Sequence, residues 1–230
     1  MPDRKIFLAS SGIQPETYPH FRELSGKYPH ETKVGFIITA GNNHNLAIEA
    51  VESLRGFGFV VEILDLKNSK PRYVRNNLQR IDVLYVNGGN TFDLLYWMKK
   101  SELLIPLQER LDEGMCYYGS SAGSLVAGPN IEMAGWHRSW DRNKIGLTDL
   151  SGLGIIDVAV FPHFDPRYRD LINSRANNVN YPIVAITNKQ AVVVDNHGFR
   201  IVGEGNEYFF GQHQFSTEHP EPLAVASLSR

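Results

Sequence analysis

The chain has 230 residues, 42% of them hydrophobic and 21% charged, an ordinary globular composition with ample apolar material for one large core, and a single domain over 1–230 is expected. A formal net charge of −2 excludes a broad electrostatic attraction for nucleic acid or anionic membrane, which needs clustered Lys and Arg. One cysteine, Cys116, excludes an internal disulfide or a multi-thiolate metal site, and a cytoplasmic setting fits.

Short apolar runs recur along the chain with helix-like stretches between them. The first, 5–9, contains Ile6, Phe7, Leu8 and Ala9, too brief for a signal-peptide core or a membrane span, so no targeting or anchoring segment is expected. Further runs at 34–39, 60–64 and 83–86 are rich in Val, Ile, Leu, Phe and Tyr, and read as buried strands. Between them, 45–54 puts Leu46, Ala47, Ala50, Val51 and Leu54 on one helical face, and 73–81 is a weaker helix. A longer helical stretch covers 92–111, with Pro106 as a candidate break. A fifth strand, 115–118, runs into Gly119-Ser120-Ser121-Ala122-Gly123, followed by a short helix over 123–127 that Pro129 stops. Residues 131–151 have no clear period and read as a loop near a site. Strands resume at 155–161, 183–187, 191–194 and 200–202, with a helix over 168–175. The last two strands form a hairpin through Asp195-Asn196-His197-Gly198, and the tail from Ser216 reads as loosely attached. The alternation is that of a mostly parallel α/β sheet covered by helices, with a C-terminal β-hairpin.

A serine hydroxyl is a weak nucleophile at neutral pH and needs a constrained turn, a neighbouring base and backbone N–H donors. The segment 119–123 matches G-x-S-x-G, in which small residues around the serine let strand and helix approach closely. Strand before and helix after are what that chemistry requires, and a helix N-terminus favours developing negative charge. Ser121 stands between the two glycines; Ser120 and Ser124 are competing hydroxyls, and Cys116, inside the strand, reads as a small buried residue. The same pattern also describes a glycine-rich connection with a solvated serine. After the fourth strand, Asn87-Gly88-Gly89-Asn90-Thr91 can aim backbone N–H groups into a cleft, while Asn90 or Thr91 caps the next helix.

Three segments together resemble the peptidase E and cyanophycinase family of serine peptidases. They are Tyr85-Val86-Asn87-Gly88-Gly89-Asn90-Thr91-Phe92-Asp93-Leu94-Leu95, the Ser-Ala-Gly turn at 119–124, and Phe161-Pro162-His163-Phe164, in the family's order over roughly 34–202. The resemblance implies a three-layer, flavodoxin-like sandwich similar to class I glutamine amidotransferases, and cleavage of short aspartate-containing peptides without metal or organic cofactor. It implies Ser121 as nucleophile, His163 as base, and the N–H groups of Gly89 and Ala122 as the oxyanion hole. Asn90 is placed with the substrate-binding residues.

Histidine is the usual base near neutral pH, and His163 directly follows the apolar run 155–161, where sites in α/β sheets gather. His137, His197 and His213 have no comparable setting. Asp141 is the expected third group, lying between serine and histidine as the acid does in the peptidase E branch; Glu132, Asp149 and Asp157 stay open. Arg167 and Arg169 resemble arginines of the cyanophycinase branch, and on an extended segment both could hold a substrate carboxylate; as a solvated stretch they would pair with Asp165 or Asp170. That branch carries an acid where Phe161 stands, so an α-aspartyl rather than β-aspartyl dipeptide is the expected substrate. Two other functions use the same residues: an esterase or amidase without aspartate preference, and a binding protein that has lost turnover. A small peptide is the expected partner, no nucleic acid or membrane is, and a homodimer is compatible with such a fold.

Overall fold

A computed structural model describes residues 4–38 and 44–211. In chain order the regular elements are β1 (Lys5–Ala9), α1 (Tyr18–Ser25), β2 (Lys33–Ile37), α2 (His44–Gly56), β3 (Val60–Leu64), α3 (Pro71–Leu78), β4 (Val83–Val86), α4 (Thr91–Lys100), α5 (Leu104–Asp112), β5 (Cys116–Ser120), α6 (Ala122–Ala127), β6 (Ala159–Phe161), α7 (Arg169–Ala176), β7 (Ile183–Ala185), β8 (Gln190–Asp195), β9 (Gly198–Gly203) and β10 (Tyr208–Phe210). Thr39 and the tail from Ser216 lie outside the described residues, as does the side chain of Leu46.

Seven strands form the main sheet in the order β3-β2-β4-β5-β1-β8-β9. The first five are mutually parallel, and β8 and β9 close one edge antiparallel as the expected hairpin. Successive side chains in a strand face opposite ways, and the core divides accordingly. On one face Phe36, Tyr85, Tyr118 and Phe7 stack in a row across β2, β4, β5 and β1, with ring centroids 4.9, 4.5 and 5.0 Å apart, and α1 and α2 cover them through Phe21, Val51 and Leu54. On the other face Ile6, Leu8, Leu84, Val86 and Tyr117 meet α3 to α6 and a second small sheet. Each such buried aromatic contributes roughly 1.5–3 kcal/mol of transfer free energy, which is why strands this short hold their places.

Three expectations need correction. The stretch 92–111 is broken into two helices, but not at the candidate Pro106: the break falls at Ser101 to Leu103, where Glu102 adopts φ 55°. Pro106 instead sits in the first turn of α5, where its missing N–H is not needed by the helix. Only Ala159–Phe161 of the run 155–161 is strand; Ile155 and Ile156 are buried in irregular chain. Strands β6 and β7 do not join the main sheet either, but pair in parallel with each other and, through β7, antiparallel with β10. This arrangement of the two sheets leads the carboxyl ends of β1, β4 and β5 and those of β6 and β7 into one region, the place where open α/β sheets build sites.

Candidate active site

Ser121 follows the last residue of β5 and is the N-cap of α6, with φ 54° and ψ −112°, a combination costing a non-glycine residue about 1–3 kcal/mol. Close packing imposes it. A Cβ on Gly123 would stand 2.1 Å from the Val86 carbonyl oxygen, and one on Gly119 would stand 2.6 Å from the Gly123 carbonyl oxygen, so strand and helix meet at a distance only glycine permits. Hydrogen bonds then hold the bend: Ser121 N–H donates to the Ala9 carbonyl (3.1 Å), and the buried Tyr117 hydroxyl donates to the Gly123 carbonyl (2.7 Å).

The two competing hydroxyls have structural work. Ser124 Oγ donates within reach of the carbonyls of Ala9 (2.7 Å) and Gly119 (3.0 Å), and Ser120 Oγ accepts from Gly12 N–H (2.9 Å). Cys116 is fully buried and its thiol is pushed up to about 12 by desolvation, which keeps it protonated and unreactive.

Ser121 Oγ lies 2.8 Å from His163 Nε2. His163 follows β6 after Pro162 and adopts φ 55°, held there by its own N–H donating to Ser10 Oγ (2.7 Å) and by Phe164 N–H donating to the Ile186 carbonyl (3.0 Å). The far ring nitrogen, Nδ1, is 2.6 Å from Asn188 Oδ1. An amide oxygen only accepts, so Nδ1 carries the proton and Nε2 presents its lone pair to the serine hydroxyl. Ser10, at the end of β1 and fully buried, binds three parts of this arrangement, its Oγ lying 3.4 Å from both the Ile186 carbonyl and Asn188 Oδ1 as well as accepting from His163 N–H.

The third position is therefore held by Asn188, and not by Asp141 as expected. The carboxylate of Asp141 is turned to α4, where Oδ2 accepts from Thr91 N–H (2.7 Å) and Thr91 Oγ (2.6 Å), satisfying an unpaired donor of the helix's first turn. None of the open alternatives meets the imidazole: Glu132 accepts from Tyr181 and Asp149 pairs with Lys99, and Asp157 makes no bond to His163. Asn188 and Ser10 escaped sequence reasoning because the search for an orienting group was confined to acids. The available signal was position: each follows a short apolar strand, as Ser121 and His163 do.

Gly88 and Gly89 lie at the end of β4 beside the serine; Gly89 has φ 132°, and a Cβ on Gly88 would stand 3.1 Å from Ser121 Cβ. Ala122 N–H is the first of α6 and has no intrahelical acceptor by position. Asn90, expected to face substrate, is spent within the protein: Oδ1 accepts from Asp93 N–H (3.0 Å) as the cap of α4, and Nδ2 donates to the Arg142 carbonyl (3.0 Å). Together with Thr91 it ties the loop 131–151 over the site.

A cavity of about 270 Å³ opens beside Ser121 and His163. Gly89 and Thr91 line it together with the apolar Leu125, Met133 and Phe161 and with Trp140, Tyr168 and Asp141. Trp140 is wedged between Phe161 and Tyr168, each ring centroid 5.1 Å away. Arg167 and Arg169 do not line it. The segment after His163 is a tight helical turn, Pro166–Tyr168, running into α7 rather than extended chain, so the two side chains diverge. Arg167 Nε pairs with Asp165 (3.0 Å) in solvent, and the Arg169 guanidinium lies over the Tyr208 ring, 5.3 Å from its centroid.

Comparison with known proteins agrees with this architecture. Residues 6–202 match the model of Peptidase family S51, and the chain belongs to that family. It is 27% identical over 201 residues to an uncharacterized peptidase from Pasteurella multocida strain Pm70, covering 84% of this chain and 94% of that one. An uncharacterized peptidase from Listeria monocytogenes is 30% identical over 167 residues, covering 70% of this chain and 78% of the relative. The 1.5 Å crystal structure of a candidate peptidase E protein from Listeria monocytogenes EGD-e superposes with a TM-score of 0.74 at 25% identity, covering 88% of this chain and all of that one. The fold is thus the mostly parallel α/β sandwich of peptidase E-like proteins. Among the described residues no helix is long and apolar enough to cross a membrane.

Proposed function

We propose that this member of a peptidase family is a serine peptidase of short peptides. The observation that carries the reading is the 2.8 Å contact between Ser121 Oγ and His163 Nε2 at a strained, glycine-flanked bend. Ser121 Oγ attacks the scissile carbonyl carbon as its proton passes to Nε2, and the oxyanion forms toward the N–H groups of Gly89 and Ala122. Collapse breaks the C–N bond, the imidazolium returns the proton to the leaving amine, and water then hydrolyses the acyl-serine by the same proton route. Asn188 positions the imidazole through Nδ1, a role asparagine also fills in papain-like proteases.

The aspartate preference expected from Arg167 and Arg169 has no support in their geometry, since one is paired with Asp165 and the other covers Tyr208. A peptidase without that preference is the better reading, and α-aspartyl dipeptides become the competing substrate. Incubating wild type and Ser121→Ala with a dipeptide library, and both with a fluorophosphonate probe, tests the proposal. Turnover and labelling are expected in wild type alone; equal turnover by the two proteins would remove serine catalysis.

A further inference from the structure

The cavity beside Ser121 has a composition that the reaction alone does not explain. Its large lining side chains are apolar or aromatic, Leu125, Met133, Phe161, Trp140 and Tyr168, and among the described residues no Lys or Arg lines it. The one carboxylate among those lining residues is Asp141. That group is held rigidly through Oδ2 by Thr91 N–H and Thr91 Oγ, while among the described residues Oδ1 takes no hydrogen bond. A half-buried carboxylate that lines a cavity with one oxygen not engaged in this way is an acceptor for a cation or a strong donor, and it repels an anion. At about 270 Å³ the space falls just below the ~300–1,000 Å³ usual for small-ligand sites, which suits one residue rather than a run of peptide.

These features combine in one class of molecule. The α-nitrogen of an N-terminal residue is one atom removed from the scissile carbonyl carbon, so a residue whose carbonyl meets Ser121 and Gly89 keeps its ammonium close to that oxyanion site. Asp141 is anchored there, on Thr91, two positions after Gly89. The side chain of the same residue must then fill the space lined by Phe161, Trp140 and Tyr168. An aspartyl side chain would enter a space with a carboxylate in its wall and no guanidinium to meet it.

Resting on the serine-peptidase reading above, we propose that the substrate is a short peptide with a free amino terminus and a large apolar, preferably aromatic, first residue. Asp141 Oδ1 receives the ammonium, and Phe161, Trp140 and Tyr168 surround the side chain. The group first expected to orient the histidine is in this assignment a substrate-binding residue.

The experiment measures kcat/KM for Phe-Ala, Leu-Ala, Lys-Ala, Asp-Ala and N-acetyl-Phe-Ala with wild type and Asp141→Asn, which keeps an acceptor for Thr91 and removes the charge. Phe-Ala and Leu-Ala are expected to exceed Asp-Ala by about 100-fold, the scale at which a pocket of mismatched polarity discriminates. Acetylation should cost wild type roughly 10- to 100-fold, as expected for loss of a charge-assisted hydrogen bond, and Asp141→Asn should abolish that difference. Preference for Asp-Ala or Lys-Ala, or equal use of free and acetylated Phe-Ala, would overturn the proposal while leaving serine catalysis intact. Hydrolysis of neutral esters alone would overturn it too, whereas absence of both turnover and fluorophosphonate labelling would remove the serine-peptidase reading itself.

Discussion

Replacing Asn188 by alanine removes the sole partner seen at His163 Nδ1, 2.6 Å away among the described residues. The lost contact matters most when the imidazole is protonated, because a hydrogen bond to a charged group is worth about 1.5–3 kcal/mol against about 1 kcal/mol for a neutral one. Only the difference, about 0.5–2 kcal/mol, is lost between ground state and transition state, so at about 1.4 kcal/mol per decade kcat should fall roughly 2- to 30-fold. KM should change little, since Asn188 does not line the cavity. The side chain is exposed, so thermal stability should shift by no more than about 0.5 kcal/mol. Asn188→Asp supplies a stronger acceptor for the same N–H and is expected to restore wild-type kcat or exceed it by up to about 10-fold. The assay is steady-state hydrolysis of the best dipeptide across pH 5–9, with the rate of fluorophosphonate labelling as a substrate-independent measure of nucleophile activation. Alanine at 188 with unchanged kcat and labelling rate would refute the positioning argument, whatever became of stability.

Packing and charge give two more expected outcomes. Gly123→Ala should cost at least about 3 kcal/mol in urea denaturation or prevent folding, because the added methyl meets the Val86 backbone at 2.1 Å, whereas Gly56→Ala, with nothing within 4 Å, should be neutral or stabilise by up to about 1 kcal/mol. Equal midpoints for the two variants would contradict the close strand–helix contact. Lys99 holds Asp149 at 2.6 Å, and that hydrogen bond, followed by the one from Ser151 N–H, lowers the Asp149 carboxyl to about 2. A carboxyl depressed in the folded state adds stability above its unfolded value near ~3.9 and loses it as pH falls toward about 2. Because Asp149 is 65% exposed the gain is at most about 1 kcal/mol; the difference in melting temperature between wild type and Lys99→Met should therefore be small at pH 6 and shrink between pH 4 and pH 2.5.

The bend at Ser121 was legible from residues 115–127 because its causes are local. A glycine is needed on each side of Ser121 wherever a buried strand turns directly into a helix, and that requirement shows in any chain that meets it. The parallel strands were legible for a similar reason, since strands buried on both faces read as continuous apolar runs. His163 could be picked from its position after an apolar run and from its resemblance to a known segment. Its partner could not. Asn188 lies 25 positions further on in an exposed turn, chemically one polar residue among many, and only the pairing of β6 with β7 brings the two ends together.

Local sequence thus marked most of the segments that form strands and helices, the bend that carries Ser121, and which family the chain resembles. Tertiary structure decided what each polar side chain does with its hydrogen bonds. Asp141 caps the start of α4 through Thr91, Asn90 ties a loop, Arg167 pairs with Asp165 and stacks on Tyr168, and Arg169 lies over Tyr208, neither arginine lining the cavity, while a neutral amide occupies the place assigned to an acid. Backbone preferences are set within a few residues, but a side chain's partners depend on which distant segments the sheet order places beside it, and spacing along the chain carries little of that information.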